Sequence, residues 1–116
     1  MILDKFTIAT THTEAMVAFY NAAFDADLKP IHGTPFYAGT LAGLALMFCP
    51  NEIVQIKAEK NRIQMRFTVE DVAAVVARAS AHGGGPYGER YEDDTTAIGW
   101  GIHDPDGNSI ELRQVK

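Results

Sequence analysis

Hydrophobic and polar residues repeat with two different periods along this chain, and these periods predict its secondary structure. Apolar residues at helical spacing, beginning near Met16, indicate a helix over about 13–25. Thr11 and Glu14 have the spacing of a capping box that would begin this helix. A second helical pattern starts at Val72, and the glycine run that follows would end it. We therefore expect two amphipathic helices.

The remaining segments alternate with the period of two that is typical of strands. This alternation occurs at 5–8, 44–49 and 63–69, and at 98–102 and 110–112 on either side of a turn at 104–108. The predicted order is β-α-β-β-β, followed by the same order again. Two halves result, 1–57 and 60–116, with a polar joint at 51–61. Each half is too small to bury a comfortable core alone, so we expect the two to share one.

Composition narrows the function classes. The chain has 116 residues, of which 47% are hydrophobic and 22% charged, as in an ordinary soluble globular protein. A net charge of -5 without any lysine and arginine cluster argues against nucleic acid as a partner. The single cysteine, Cys49, cannot form an internal disulfide, which favours a reducing compartment. With neither a signal pattern nor an apolar run of membrane length, we expect a cytoplasmic protein without a membrane partner.

Three segments resemble a known superfamily. They are AFYNAAF at 18–24, FTVEDVAAVVARASAHGG at 67–84 and DPDGNSIEL at 104–112. Together with the duplicated order, they look like the vicinal oxygen chelate superfamily, which includes glyoxalase I, extradiol dioxygenases, fosfomycin-modifying transferases and bleomycin-binding resistance proteins. The resemblance covers nearly the whole chain. It implies an α+β fold of two βαβββ modules whose eight strands form a half-open, barrel-like sheet around a concave cleft. It also implies a homodimer.

The resemblance also implies where a metal would bind. Metal-binding members place four ligands on the concave face, from the first and fourth strands of each module. Those positions here are Lys5, Met47, Gln64 and Glu111. A carboxylate or an amide oxygen can bind a divalent metal, whereas a thioether is a poor ligand for a hard ion and an ammonium group has no lone pair. The resemblance therefore implies no metal cofactor; a divalent metal ion, with His103 as a further ligand beside Glu111, is the alternative.

The register of the last hairpin decides which side chains accompany Glu111. A three-residue turn with a bulge would place Gly99, Gly101 and His103 on the face of Glu111. A four-residue turn would instead bring Trp100 alongside it. We expect the first register, because it gathers the apolar residues of both strands on the side that the helix covers.

Strand parity predicts the contents of the cleft. The glycine pair 99 and 101 either leaves room for a ligand or marks a tight curl of the sheet. Glu111 either forms an ion pair with Lys5 or Arg66, or orients a ligand or acts as a general base. The predicted concave face contains Lys5, Thr7, Met47, Cys49, Gln64, Arg66, Gly99, Gly101, Ser109, Glu111 and Arg113. Candidate aromatic walls are Phe36, Tyr37, Tyr87 and Tyr91.

Three functions are compatible with these residues. We expect a metal-independent protein of the glyoxalase and bleomycin resistance type that binds a small organic ligand. A metal-dependent lyase, isomerase or dioxygenase with Glu111 and Gln64 as ligands is the alternative. A third reading is a metal-free enzyme in which Glu111 is catalytic and moves a proton. The predicted ligand-binding residues are Lys5, Tyr37, Met47, Gln64, Arg66, Gly99, Gly101 and His103.

Overall fold

The computed structural model describes residues 3–54, 64–93 and 95–116. The chain divides into two compact units, Met1–Lys57 and Ala58–Lys116. Each unit contains a four-stranded sheet in which the strands follow the same order: first, fourth, third and second. In each sheet the first strand runs parallel to the fourth, and the other neighbours are antiparallel. The α+β class and the duplicated βαβββ order are confirmed.

The elements fall largely where the sequence pattern predicts them. The first unit contains β1 (Phe6–Thr10), α1 (Thr13–Phe24), β2 (Lys29–Pro30), β3 (Tyr37–Leu41), β4 (Leu44–Pro50) and α2 (Asn51–Val54). The second contains β5 (Met65–Thr68), α3 (Val72–Ala81), β6 (Gly85–Asp93), β7 (Ala97–His103) and β8 (Ser109–Val115). The short helix α2 begins the predicted polar joint; the rest of that joint and Ile63 lie outside the described residues. Of the helices within the described ranges, none is long and apolar enough to cross a membrane.

Helix α1 covers one face of the first sheet through the apolar residues that its period predicts. Met16, Phe19 and Tyr20 are almost completely buried. The ring of Tyr20 lies 5.6 Å from that of Phe48 in β4, measured between centroids. Burial of such large side chains is the main stabilising contribution within this unit.

The capping box predicted from Thr11 and Glu14 is wrong. Helix α1 begins at Thr13, and its N-cap residue His12 makes no side-chain capping bond. The hydroxyl of Thr11 lies 3.1 Å from the ring Nδ1 of His12, and the backbone N–H of His12 donates to the Thr10 hydroxyl at 2.9 Å. Both hydroxyls therefore serve the turn that leads from β1 into the helix.

Helix α3 has the boundaries that its sequence signals indicate. The carboxylate of the N-cap residue Asp71 accepts a hydrogen bond from the backbone N–H of Ala74 at 3.1 Å. At the other end Gly83 adopts a φ of 89°, and the N–H of Gly84 donates to the carbonyl of Ala79 at 2.9 Å. The helix lies against β6, β7 and β8. The buried apolar residues on this side are Val72, Val75, Val76, Ala79, Ile98, Ile102, Ile110 and Leu112.

A glycine in β3 allows a loop to approach the first sheet closely. The Asp27 carboxylate accepts hydrogen bonds from the backbone N–H of Thr40 at 2.5 Å and from its hydroxyl at 3.1 Å. The bond from the Thr40 backbone is the main reason why the pKa of Asp27 is lowered. A β-carbon on Gly39 would lie 2.7 Å from the backbone oxygen of Asp27. Glycine at 39 is therefore a packing requirement.

We expect Gly39→Ala to lower the free energy of unfolding by about 1–3 kcal/mol, because the Asp27 backbone must move and release Thr40. Denaturant unfolding would measure the loss. Gly85→Ala is the matched control: its β-carbon would lie 3.3 Å from Nε2 of His103, the end of a side chain that can move. Equal losses in the two variants would contradict the explanation.

Candidate functional site

The turn at 104–108 sets the geometry of the last hairpin. The N–H of Gly107 donates to the carbonyl of Asp104 at 2.9 Å, and the N–H of Asp104 donates to the carbonyl of Asn108 at 3.0 Å. Gly107 has a φ of 85°, in the left-handed region that favours glycine. This arrangement is a three-residue turn closed by a glycine bulge, as the sequence predicts.

The resulting register between β7 and β8 is also the predicted one. Gly101 lies opposite Glu111, and Gly99 lies opposite Arg113. His103 lies opposite Ser109 at the end of the hairpin. Trp100 pairs with Leu112 instead and therefore has the opposite parity. Glu111 thus shares a face with both glycines and with His103.

A buried carboxylate holds this turn together. Asp104 is 0% exposed, and its Oδ1 accepts hydrogen bonds from the backbone N–H groups of Asp106 and Asn108, each at 2.9 Å. Its Oδ2 accepts a further bond from the Asn108 side-chain amide at 2.8 Å. Sequence reasoning identified the turn but missed this role. The available signal was an aspartate at the first turn position, where it can bond to the backbone two residues later.

The face of the second sheet opposite α3 carries three rows of residues, which we call the open face. Strand pairing and one side-chain hydrogen bond, from Gln64 Nε2 to Ser109 Oγ at 2.7 Å, define the rows. The rows are Gln64, Ser109, His103 and Gly85; Arg66, Glu111, Gly101 and Tyr87; and Thr68, Arg113, Gly99 and Tyr91. Five of the predicted site residues in the second unit therefore share one face with Glu111: Gln64, Arg66, Gly99, Gly101 and His103.

Tyr91 is the hydrogen-bond partner of Glu111. Its hydroxyl donates to Glu111 Oε2 at 2.9 Å. The tyrosine ring crosses Gly99, where a β-carbon would lie 2.3 Å from the ring Cζ. Oε1 of Glu111 lies over Gly101, 3.1 Å from the position that a β-carbon would take there. The two glycines thus accommodate the tyrosine ring and the carboxylate.

A bulge in β6 directs Tyr91 across the sheet. The pairing shifts between Tyr87 and Tyr91, so residues 88–90 lie opposite Trp100 alone. Gly88 has a φ of 75°, and its carbonyl accepts a hydrogen bond from Trp100 Nε1 at 3.2 Å. Bulges commonly change the direction of neighbouring side chains. The sequence showed a glycine at 88 but gave no means of locating the bulge.

The charges around Tyr91 oppose its ionisation. The hydrogen bond to Glu111 is the largest cause of its raised pKa, followed by partial burial and by the negative charges of Glu111 and Asp93; Arg66 acts in the opposite direction. Arg113 Nε lies 3.5 Å from Asp93 Oδ2. Of the alternatives left open for Glu111, the ion pair with Arg66 is not formed, because the carboxylate is turned toward Tyr91 instead.

The potential metal ligands of the open face lie in two neighbouring rows. Glu111 accepts from Tyr91, and Gln64 lies one row away with its amide nitrogen bonded to Ser109. His103 also lies in that row, and its Nδ1 is 3.2 Å from the Asp104 carbonyl. Among the residues that the structure describes, no group of three or more His, Cys, Asp or Glu side chains is placed to hold a metal.

The other predicted site residues belong to the first unit. Lys5 is exposed and immediately precedes β1. Met47 pairs with Thr7 and Ala38. It lies on the opposite face of the sheet from Phe48, which faces α1. Tyr37 pairs with Phe48 and so lies on the opposite side of this sheet from Met47. Tyr37 and Met47, both predicted to bind the ligand, therefore lie on opposite faces of the first sheet.

We expect Tyr91 to ionise above the ordinary tyrosine pKa of about 10. The protonated phenol stabilises the fold, so its contribution is complete below that pKa and is lost as the pH rises through the raised value. The near-ultraviolet absorbance of tyrosinate would measure this, with Tyr91→Phe identifying the transition. Glu111→Gln should shift the transition to lower pH, and an unchanged titration in that variant would contradict the assignment.

Gly99→Ala should displace the Tyr91 ring and break its bond to Glu111. Because the ring end is partly exposed and can swing away, the loss in unfolding free energy should be small, about 1 kcal/mol or less. The tyrosinate transition of Tyr91 should fall toward the ordinary value. In a Tyr91→Ala background, the same Gly99→Ala substitution should have no unfavourable effect; an equal effect in both backgrounds, measured as a double-mutant cycle, would overturn this explanation.

Comparisons with known proteins identify the fold. The sequence profile described as a glyoxalase-like domain matches residues 5–113. A comparison with curated proteins finds no match. A glyoxalase/bleomycin resistance protein/dioxygenase family enzyme from Burkholderia phytofirmans PsJN has a TM-score of 0.83 at 21% identity, with 100% of both chains covered.

Two further solved structures extend the likeness. A glyoxalase/bleomycin resistance protein from Albidiferax ferrireducens T118 has a TM-score of 0.72 at 18% identity, covering 98% of each chain. The fosfomycin resistance protein FosX from Mesorhizobium loti has a TM-score of 0.73 at 14% identity, covering 100% of this chain and 92% of its own. At these identities the structures show the fold alone, and the profile match supplies the family. The chain belongs to the glyoxalase-like domain family of the vicinal oxygen chelate superfamily.

Proposed function

We propose that this protein binds a small organic ligand on the open face of its second sheet without a metal ion. The observation that carries the proposal is the hydrogen bond of 2.9 Å between Tyr91 and Glu111. Glu111 stands where the resemblance implies a metal ligand, yet its carboxylate is directed at a phenol. The aligned Lys5 and Met47 supply no suitable donor for a hard divalent ion.

The chemistry of the open face suits a small polar ligand. Small-molecule sites combine apolar or aromatic surface with a few polar groups that orient the ligand. Tyr87 and Tyr91 are 65% and 46% exposed and offer aromatic surface. Glu111 and Arg66 supply a carboxylate and a guanidinium in one row. Because α3 packs on the other face, these groups need no rearrangement of the helix to meet a ligand.

A metal-free enzyme is the second candidate, and one observation favours it. Tyr91 engages Oε2 of Glu111, whereas Oε1 lies over Gly101 and receives no hydrogen bond within the described ranges. This oxygen is thus oriented by a bond to its neighbour and can accept a proton from a ligand. In this reading Glu111 is the general base and Tyr91 is a positioning residue.

Ligand binding and metal content test the proposal together. We expect protein purified without chelator to contain no stoichiometric metal, and chelator-treated protein to bind members of a panel of small carbonyl and aromatic compounds. Binding would be followed by nuclear magnetic resonance and by the fluorescence of Trp100, the single tryptophan of the chain. Glu111→Gln should weaken binding about tenfold, the effect of losing one charged hydrogen bond.

Glu92→Gln is the matched control. Its carboxylate is paired with Lys116. It pairs with Ile98 and so lies on the opposite face of the sheet from Glu111. The control should leave binding unchanged. Stoichiometric metal that is lost in Glu111→Ala would contradict metal independence and support the alternative metal-dependent enzyme. Absence of binding both across this panel and across a series of charged small molecules would contradict the binding function.

The same panel separates a binder from an enzyme. Product analysis after incubation would detect turnover of any compound that binds. Loss of a general base lowers the rate by about 10²–10⁴-fold, so turnover that falls by this factor in Glu111→Gln would establish the second candidate. Binding without turnover would leave the binding function.

A further inference from the structure

We infer that the ligand of the open face is bipolar, with an oxyanion at one end and an ammonium group at the other. The inference rests on the proposed function and adds the chemical class of the ligand. Arg66 would bind the oxyanion, and Glu111 would bind the ammonium group. Neither group alone implies this class; the arrangement of the two on the sheet does.

Arg66 is an available cation. It lies in β5 directly beside Glu111, and its side chain is exposed. Within the described ranges its side chain takes part in no hydrogen bond or ion pair, and its charge acts on Tyr91 from a distance. Arg113 differs, because Asp93 lies 3.5 Å from it. A guanidinium presents a planar fork of donors that matches carboxylate and phosphate-like groups, so an unpaired one is suited to an oxyanion.

The structure keeps Arg66 and Glu111 apart although they are neighbours in the ladder. In the sheet order β5-β8-β7-β6, Arg66 lies on one side of Glu111 and Tyr91 on the other. Both carboxylate oxygens lean toward Tyr91 and Gly101, away from β5. Tyr91 therefore prevents the two opposite charges from neutralising each other. Both stay accessible to a ligand that spans them.

The separated charges select against ligands with a single charge. An anion placed at Arg66 also experiences the negative field of Glu111, and a cation at Glu111 experiences the positive field of Arg66. At the spacing of neighbouring strands, about 5 Å, the repulsion from the second group is comparable in size to the attraction of the first. A bipolar ligand satisfies both groups at once, which is how complementary and repulsive contacts together produce specificity.

A homologous series of ω-amino acids tests the inference directly. Glycine, β-alanine, γ-aminobutyrate and longer homologues differ only in the distance between carboxylate and ammonium. We expect affinity, measured by Trp100 fluorescence and by resonance shifts, to pass through a maximum at one length. At that length the N-acetylated acid, which lacks the cation, and the corresponding alkylamine, which lacks the anion, should each bind at least about tenfold more weakly.

Two variants assign the ends of the ligand. Arg66→Gln should remove the preference for the ω-amino acid over the alkylamine, and Glu111→Gln should remove the preference over the N-acetylated acid. Arg78→Gln, in α3 on the other side of the sheet, is the control that removes the same charge elsewhere. Tyr91→Phe keeps the ring but releases Glu111, which should then pair with Arg66 and weaken the whole series. Circular dichroism would verify that each variant is folded.

The outcomes separate this inference from the proposed function. If neutral or singly charged compounds bind as well as the ω-amino acids, and Glu111→Gln still weakens them, the bipolar inference fails and the proposed function stands. Equal affinity along the series, or an unchanged preference in Arg66→Gln, would also overturn the inference. If neither this series nor the carbonyl and aromatic panel binds, both fail.

Discussion

The open face depends on one constraint, the register of the β7–β8 hairpin, and the buried carboxylate of Asp104 maintains that register. Side chains alternate between the two faces of a strand, so a slip of one residue would move Glu111 to the side of α3 and expose its apolar neighbours. Asp104 prevents the slip by binding three donors of the turn. A buried acid is stable there because its hydrogen bonds compensate for the loss of water.

The second determinant of the site is the hydrogen-bond partner of Glu111. A carboxylate on a sheet can bind a metal, pair with a base or accept from a neutral donor, and these choices lead to different functions. The β6 bulge and Gly99 together allow Tyr91 to reach it from two strands away. The neutral donor leaves Glu111 without a cationic partner, and among the residues that the structure describes the Arg66 side chain also has no partner. The open face therefore presents a carboxylate and a guanidinium that are not paired with each other.

The fold could be predicted from the sequence almost completely, whereas the site could be predicted only in part. Apolar periods located α1, α3 and most strands, because burial of a regular stripe is a local property of the sequence. The same reasoning failed at the start of α1, where the hydroxyls of Thr10 and Thr11 bond to His12 and the predicted capping box does not form. It also left open the face of Tyr37, which depends on where β3 begins to pair.

The sequence by itself determined the family, the duplicated order, the hairpin register and the face that carries Glu111. These follow from residue periodicity and from the turn chemistry at 104–108, both of which act over short distances along the chain. Only the tertiary structure decided that Tyr91, rather than Arg66, is the partner of Glu111, and that Gly99 accommodates its ring. That choice depends on a bulge and on the packing of side chains from β6 and β8, which are brought together only when the sheet forms.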